Sequence, residues 1–197
     1  MNLTSEDTTH FYRLMGSLQY FVKETKGLLK EITSRDEFNT ASSVTKLEVR
    51  DALWANPGLI DDYLQKNPEG FSDADLEIIR KWKGFIIGTF FIVRHLKKYS
   101  ILIDDREQVY CIVGLITPLE DLLPTDALPI MLNTVLLPFK GKIIYDGLLS
   151  PFNSTFGRGI RSNLNDAYTF AKQKDQLITT FEPELFPVPV KTIRKND

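Results

Sequence analysis

The chain has 197 residues, of which 43% are hydrophobic and 25% charged, and its formal net charge is −2. These values fit one globular domain, and the single cysteine, Cys111, excludes an internal disulfide and a multi-cysteine metal site. No run of about 18 apolar residues and no apolar leader is found, so the sequence predicts a cytoplasmic protein without a membrane span.

The first predicted element is a long helix. Apolar residues recur at spacings of three and four from Phe11 to Ile32. The polar residues 34–44 have no such period, which predicts a linker. Residues 1–33 are therefore predicted to form an amphipathic appendage, which either packs on its own domain or pairs with a second copy of the chain.

Residues 45–181 are predicted to form a single α+β domain that opens with three short helices. Their starts are marked by Thr45 in a capping box, by Asn56 followed by Pro57, and by Ser72.

After Gly84 the pattern changes to short apolar, β-branched and aromatic runs. The predicted strands cover residues 85–93, 99–103, 108–116, 131–137 and 142–149, with a last short strand at 177–181. Lys140-Gly141 is a hairpin turn, Ser162 caps a C-terminal helix, and residues 182–197 form an extended tail. The predicted fold is α+β, with a helical N-terminal third followed by a mainly antiparallel, curved sheet or small barrel of about five strands and one C-terminal helix.

Three runs of sequence carry a resemblance. They are Leu53-Trp54-x-Asn56-Pro57, Arg94-His95-Leu96-Lys97-Lys98-Tyr99 and Leu137-Pro138-Phe139-Lys140-Gly141-Lys142-Ile143-Ile144-Tyr145-Asp146-Gly147. Over roughly residues 50–181 the chain resembles a group of uncharacterised bacterial proteins, some of which carry a C-terminal SEC-C zinc motif. The resemblance implies a bacterial source and one coherent domain but no reaction. One cysteine cannot form the SEC-C site, so no zinc ligand carries over.

Charge is distributed unevenly along the chain. Residues 1–80 contain 9 Lys and Arg against 14 Asp and Glu, whereas residues 81–197 contain 15 against 12. The two parts are therefore expected to attract each other within one chain or between chains.

A basic run between two predicted strands is the first candidate site. Arg94, Lys97 and Lys98 could hold phosphate groups, and Tyr99 could stack on a base. The alternatives are a solvated hairpin tip and a contact for an acidic protein partner.

The second candidate site is the turn before the C-terminal helix. Gly157 and Gly159 would let the backbone approach a ligand, while Arg158 and Arg161 add positive charge, which is the chemistry of an anion site. The alternative is a turn that needs glycine for its backbone conformation.

An enzymatic site would have to be assembled from scattered carboxylates. Asp146, Lys142 and Tyr145 with Asp104 and Asp105 could form a cluster for metal-assisted hydrolysis, but these residues are also what turns require. The two histidines, at positions 10 and 95, give no metal pair and are predicted to lie at the surface.

Taken together, the residues favour a non-enzymatic binding or interaction protein that self-associates through its first helix. One alternative is a nucleic-acid or phosphate-ligand binder that uses residues 94–98 and 157–161. The other is a metal-dependent hydrolase. No cofactor is predicted.

Overall fold

A computed structural model describes residues 1–42 and 44–181, so the predicted tail at 182–197 lies outside the described residues. The helices are α1 Ser5–Lys26, α2 Arg35–Thr40, α3 Leu47–Ala55, α4 Gly58–Lys66, α5 Asp73–Lys81, α6 Leu119–Leu122 and α7 Arg158–Gln173. The strands are β1 Ile86–His95, β2 Ser100–Ile103, β3 Val109–Ile112, β4 Ile130–Phe139, β5 Lys142–Tyr145 and β6 Ser150–Pro151. The α+β prediction is confirmed. Within the described ranges no helix is long and apolar enough to cross a membrane.

The first helix is part of the domain core. Thr4 caps α1 by accepting a hydrogen bond from the Asp7 backbone N–H at 3.1 Å, and Gly27 ends the helix in the left-handed conformation. Phe11, Leu14, Met15, Leu18 and Val22 of its apolar stripe are buried, and Phe11 packs edge-on against Trp82 and Phe139 at 5.8 Å. Of the two alternatives predicted for this segment, packing on its own domain is the one observed, because the chain's own sheet and helices cover the stripe.

The predicted linker contains a helix. Ser34 and Glu37 form a capping box at the start of α2, in which each side chain accepts a hydrogen bond from the other residue's backbone N–H. Phe38 is fully buried beside the ring of Tyr20. One buried aromatic residue was too little to show a helical period, so the polar composition gave the wrong prediction.

The helix starts are only partly as predicted. Ser72 caps α5 by accepting from the Asp75 N–H at 3.2 Å. By contrast, α3 begins at Leu47 and makes no side-chain cap, so the Thr45 capping box is wrong. Likewise, α4 begins at Gly58, one residue later than the predicted Pro57, with no side-chain cap.

The six strands form a closed barrel with one extra edge strand. β1, β2 and β3 are antiparallel neighbours, and β4 returns through a long connection to pair with β1, which is a Greek key. β5 forms a hairpin with β4 and a parallel pair with β3, so pairing returns to β1 and closes a ring of five strands. β6 adds to β4. The small, mainly antiparallel barrel is confirmed.

The turn between β4 and β5 is also as predicted. Lys140 and Gly141 have φ values of 47° and 73°, the left-handed pair that a two-residue hairpin requires. Two salt bridges then join this turn to the acidic helical part, since Asp7 accepts from Lys140 at 2.6 Å and lies 3.6 Å from Lys142. The attraction between the two parts therefore operates within one chain.

The C-terminal helix is longer than predicted and covers a second, smaller core. α7 begins at Arg158 and not after Ser162. The sequence did not indicate this first turn, because its residues are exposed and have no apolar period. The apolar side of α7 packs on the outer face of β2 and β3, where it buries Ile101, Ile103, Val109 and Cys111 beneath Tyr168 and Ala171. The strand predicted at 177–181 is reduced to a single bridge between Tyr110 and Ile178.

Candidate anion-binding surface

The structure brings the two predicted sites together around α7. The guanidinium of Arg94 lies 4.2 Å from the centre of the Tyr168 ring and donates to Asn165 Oδ1 at 2.7 Å. Leu96 and Tyr99 join the apolar cluster beneath the same helix. Two segments whose contacting residues Arg94 and Asn165 are 71 positions apart in sequence therefore share one side of the molecule.

We call this side the basic surface. Its positively charged side chains are Arg94, Lys97, Lys98, Arg158, Arg161, Lys172 and Lys174. Asp166 is the one carboxylate in the segments 94–98 and 158–174. These two segments thus carry a formal charge of +6 on a chain whose net charge is −2, and Asp175 follows directly after the second segment.

The free cations of the basic surface are Lys97, Lys98, Arg158 and Lys172. Each is exposed, and none of their side chains has an ion pair or hydrogen bond within residues 1–42 and 44–181. Elsewhere many cations are neutralised by carboxylates, namely Arg13, Lys23, Arg35, Arg50, Arg80, Lys83, Lys140 and Lys142. The basic surface is therefore an uncompensated patch of positive charge.

Two of the predicted ligand-binding arginines hold α7 in place. Arg161 donates from Nε to the Phe156 carbonyl at 3.0 Å and from its terminal nitrogen to the Leu128 carbonyl at 2.7 Å. Arg94 is held by Asn165 and Tyr168 as described above. Both arginines therefore have a structural role, although Arg94 Nε is buried without a hydrogen-bond partner. That they also bind a ligand stays a prediction.

The glycines of the second candidate site are not required by the backbone. Gly157 is the N-cap of α7 with φ −72°, and Gly159 lies in its first turn; neither has a positive φ. A Cβ at either position would meet nothing within 4 Å. The alternative of a turn that needs glycine is therefore wrong, and no cradle that only glycine could line is formed.

Comparison with known proteins adds no family or relative. No protein-family model, no curated protein and no solved structure matches the chain. The resemblance to the bacterial group with SEC-C motifs stays a prediction.

Sequence reasoning missed the C-terminal end of the basic surface. Lys172 lies in the last turn of α7 and is exposed. Lys174 follows the helix, and its Nζ lies 5.9 Å from the centre of the ring of Phe170, which is 58% exposed. Basic residues are common in the last turn of a helix, where they interact favourably with the helix dipole. Their spacing alone therefore did not indicate a binding site.

The carboxylate proposed for hydrolysis is enclosed. Asp146 accepts from Arg50 Nε at 2.5 Å, from Trp54 Nε1 at 2.9 Å and from the Leu148 N–H at 3.3 Å, and its side chain is fully buried. Burial raises the pKa of the Asp146 carboxyl, and the Arg50 guanidinium opposes that shift. This carboxylate joins the helices to the barrel.

The other members of the predicted cluster lie in turns and salt bridges. Asp104 accepts from the N–H groups of Arg106 and Gln108 at 3.0 and 2.8 Å, which is an Asx turn. Lys142 lies beside Asp7. Across residues 1–42 and 44–181, no group of three or more His, Cys, Asp or Glu side chains is placed to hold a metal ion.

Both histidines have partners, contrary to the surface positions predicted for them. His10 Nε2 lies 2.6 Å from Asp75 Oδ1, and the His10 side chain is 21% exposed. His95 bridges Ser100 Oγ and the Leu123 carbonyl, each at 2.8 Å, and so fixes the β3–β4 connection against the β1–β2 hairpin.

Proposed function

We propose that this protein is a non-enzymatic binding protein whose basic surface contacts the phosphates of a nucleic acid. The observation that carries the proposal is that the segment of Lys97 and Lys98 packs beside α7, which carries Arg158 and Lys172, and that these four exposed cations have no ion pair within the described residues. Exposed, unpaired Lys and Arg side chains gain affinity for a phosphate backbone by releasing its counterions.

The charge distribution favours an oriented approach. The segments 94–98 and 158–174 carry +6, so the remainder of the chain carries −8. A polyanion is repelled by most of the molecule and attracted by one side, which steers it to that side.

The topology of the barrel also favours a nucleic acid, by analogy with other barrels of this kind. Five-stranded Greek-key barrels of the OB type bind oligonucleotides on the face of strands 2 and 3 and with the loop between strands 1 and 2. In this chain the β1–β2 loop carries Lys97 and Lys98, whereas the β2–β3 face is covered by α7. A nucleic acid would therefore meet the loop and the helix.

Charge reversal tests the proposal. The Lys97→Glu and Lys98→Glu double variant should bind mixed single- and double-stranded oligonucleotides at least about tenfold more weakly than the wild type in a fluorescence-anisotropy titration. Lys26→Glu with Lys30→Glu is the matched control, because it makes the same charge change on exposed lysines at the other end of the chain. Equal losses in both variants would contradict a specific surface.

Binding of polyglutamate separates an acidic protein partner from a nucleic acid. If polyglutamate binds to the basic surface more tightly than oligonucleotides of the same charge, the partner is an acidic protein. The proposal predicts the opposite order.

Self-association through the first helix is the remaining candidate for the protein's interaction. The apolar stripe of α1 is buried in the core, so a dimer would have to use the outer side of the helix, where Tyr12 is 42% exposed. Light scattering on the full chain tests this candidate, and a monomer at every concentration would rule out a dimer through α1.

A metal-dependent hydrolase has the least support. Asp146, the residue on which that alternative was built, is enclosed by Arg50 and Trp54.

A further inference from the structure

One side of the barrel is left open by the helices. It is the outer face of β1, β4 and the segment that begins with β6. We call it the neutral sheet face, and its members are Ile87, Thr89, Phe91, Met131, Asn133, Ser150 and Phe152.

The strand register sorts these side chains into two rows. Thr89, Asn133 and Ser150 are direct cross-strand neighbours, and Thr89 Oγ1 donates to Asn133 Oδ1 at 2.7 Å. One step along, Phe91 is opposite Met131, whose carbonyl accepts from the Phe152 N–H at 2.8 Å. A row of neutral hydrogen-bonding groups thus runs beside a row of aromatic and thioether side chains.

The face is accessible and carries no charge. Ile87 is 51% and Phe152 40% exposed, Thr89, Asn133 and Ser150 are exposed as well, and Phe91 and Met131 are half-buried. No Asp, Glu, Lys or Arg occurs in residues 84–93, 127–139 or 147–157, although a quarter of the whole chain is charged. A solvated sheet face normally carries charged side chains, whereas depletion of charge is typical of the core of an interface, so this composition indicates a surface that contacts a partner.

The neutral sheet face borders the basic surface. The Phe156 ring packs edge-on against Phe91 with 5.3 Å between ring centres, and the Phe156 carbonyl accepts from Arg161. Two residues after Phe156, Arg158 begins α7. The half-buried rings of Phe91 and Phe156 therefore connect the neutral sheet face to the start of α7, where Arg158 lies.

We infer that the neutral sheet face stacks the bases of a single-stranded nucleic acid whose phosphates lie on the basic surface. The inference rests on the proposed function and names the form of nucleic acid that it binds. Nucleotides combine a neutral, aromatic base with an anionic phosphate, and the two adjoining surfaces present the complementary groups side by side. Thr89, Asn133 and Ser150 supply donors and acceptors for base edges.

A duplex does not fit this arrangement. Its bases are stacked on one another and paired, so their faces cannot reach Phe91, Met131 and Phe152. The protein should therefore prefer a single strand to a duplex of the same sequence at equal salt.

The test measures the affinity of the full chain for a labelled single strand of more than about 16 nucleotides and for the matching duplex. Phe152→Ala should weaken binding of the single strand at least about fivefold and leave binding of the duplex unchanged. Phe152→Tyr, which keeps an aromatic ring, should retain wild-type affinity. Ile116→Ala is the control, because Ile116 is 67% exposed but belongs to the β3–β4 connection.

The outcomes separate this inference from the proposed function. If Lys97→Glu with Lys98→Glu weakens binding while Phe152→Ala does not, the stacking face is refuted and the basic surface stands. If neither the strand nor the duplex binds at low salt, both proposals are refuted. If Phe152→Ala dissociates a dimer in light scattering without changing oligonucleotide affinity, the face belongs to a second copy of the chain.

A measurement on the wild type covers the case in which a variant fails to fold. An oligonucleotide that contains 5-bromouracil should, on irradiation, form crosslinks to peptides that include residues 87–91, 131–133 or 150–156. Crosslinks found only outside these ranges would overturn the inference.

Discussion

Asp146 is a buried polar link between the helices and the barrel. Its carboxylate is removed from solvent and receives hydrogen bonds from Arg50 and Trp54 of α3. A buried charge that loses its partner cannot be rehydrated without opening the core.

Arg50→Ala should therefore lower the free energy of unfolding by about 3–5 kcal/mol in a chemical denaturation experiment. Adding Asp146→Asn to that variant should recover part of the loss, since it removes the unpaired charge. Arg80→Ala is the contrasting variant, because Arg80 and Glu77 form an exposed pair that is worth about 1 kcal/mol or less. Similar losses in the two single variants would contradict the burial argument.

Gly159 offers a second test at the scale of one residue. A Cβ there meets nothing within 4 Å, and the backbone is helical, so Gly159→Ala should raise the free energy of unfolding by up to about 1 kcal/mol. Oligonucleotide affinity should stay at the wild-type value. A stabilised variant with weakened binding would show that the glycine allows the close approach of a ligand.

At the scale of secondary-structure elements, α1 is fixed to its neighbours by two aspartates. The hydrogen bond from Lys140 lowers the pKa of Asp7. Burial alone would raise the pKa of Asp75, but hydrogen bonds from His10 and Arg13 lower it. Both carboxylates are therefore more acidic in the folded than in the unfolded chain.

The sign of the pH dependence follows from these pKa values. The two aspartates stabilise the fold at neutral pH, and their contribution is lost as the pH falls below about 4. The melting temperature should drop between about pH 5 and about pH 3, and this drop should be smaller in the Asp7→Asn and Asp75→Asn double variant. Asp62→Asn is the control, because Asp62 is exposed and forms no ion pair within the described residues. An unchanged pH profile in the double variant would contradict the assignment.

The attachment of α7 can be followed through Cys111. This cysteine is 2% exposed beneath the helix, and burial raises its pKa to about 11, so its thiol should react slowly with a disulfide reagent at neutral pH. Tyr168→Ala, which removes the ring between α7 and Arg94, should speed the reaction at least about tenfold. Phe170→Ala changes an exposed residue of the same helix and should have no effect. A wild-type thiol as reactive as a free cysteine would show that α7 does not cover β2 and β3.

At the scale of the whole molecule, the barrel was largely predictable from sequence. Runs such as 99–103 and 131–137 are apolar and β-branched, and Lys140-Gly141 specifies a hairpin whatever surrounds it. These signals are local, and the structure confirms them.

The elements that were misplaced depend on contacts that are distant in sequence. The stripe of α1 had to be covered, but nothing in its periodicity showed that Trp82 and Phe139 cover it. The α2 helix is fixed by the single buried side chain of Phe38.

The candidate site also combines residues that have a local sequence signal with residues that are defined only by contacts distant in sequence. Lys97 and Lys98 were recognisable as a basic run, but Arg94 could not be distinguished from them until Tyr168 was seen beside it. The neutral sheet face arises from the register of three strands, so Phe91 and Phe152, 61 positions apart, have no shared sequence signal.

The central claim is that free cations around α7 bind nucleic-acid phosphates, and the salt dependence of oligonucleotide affinity tests it most directly. Plotting the logarithm of the binding constant against the logarithm of salt concentration, between about 50 and about 200 mM, gives a slope of about −0.7 per phosphate contact for a single strand. Lys97→Glu with Lys98→Glu should make that slope shallower by about 1.4, because two contacts are lost. The same slope in the wild type and the double variant would contradict the claim.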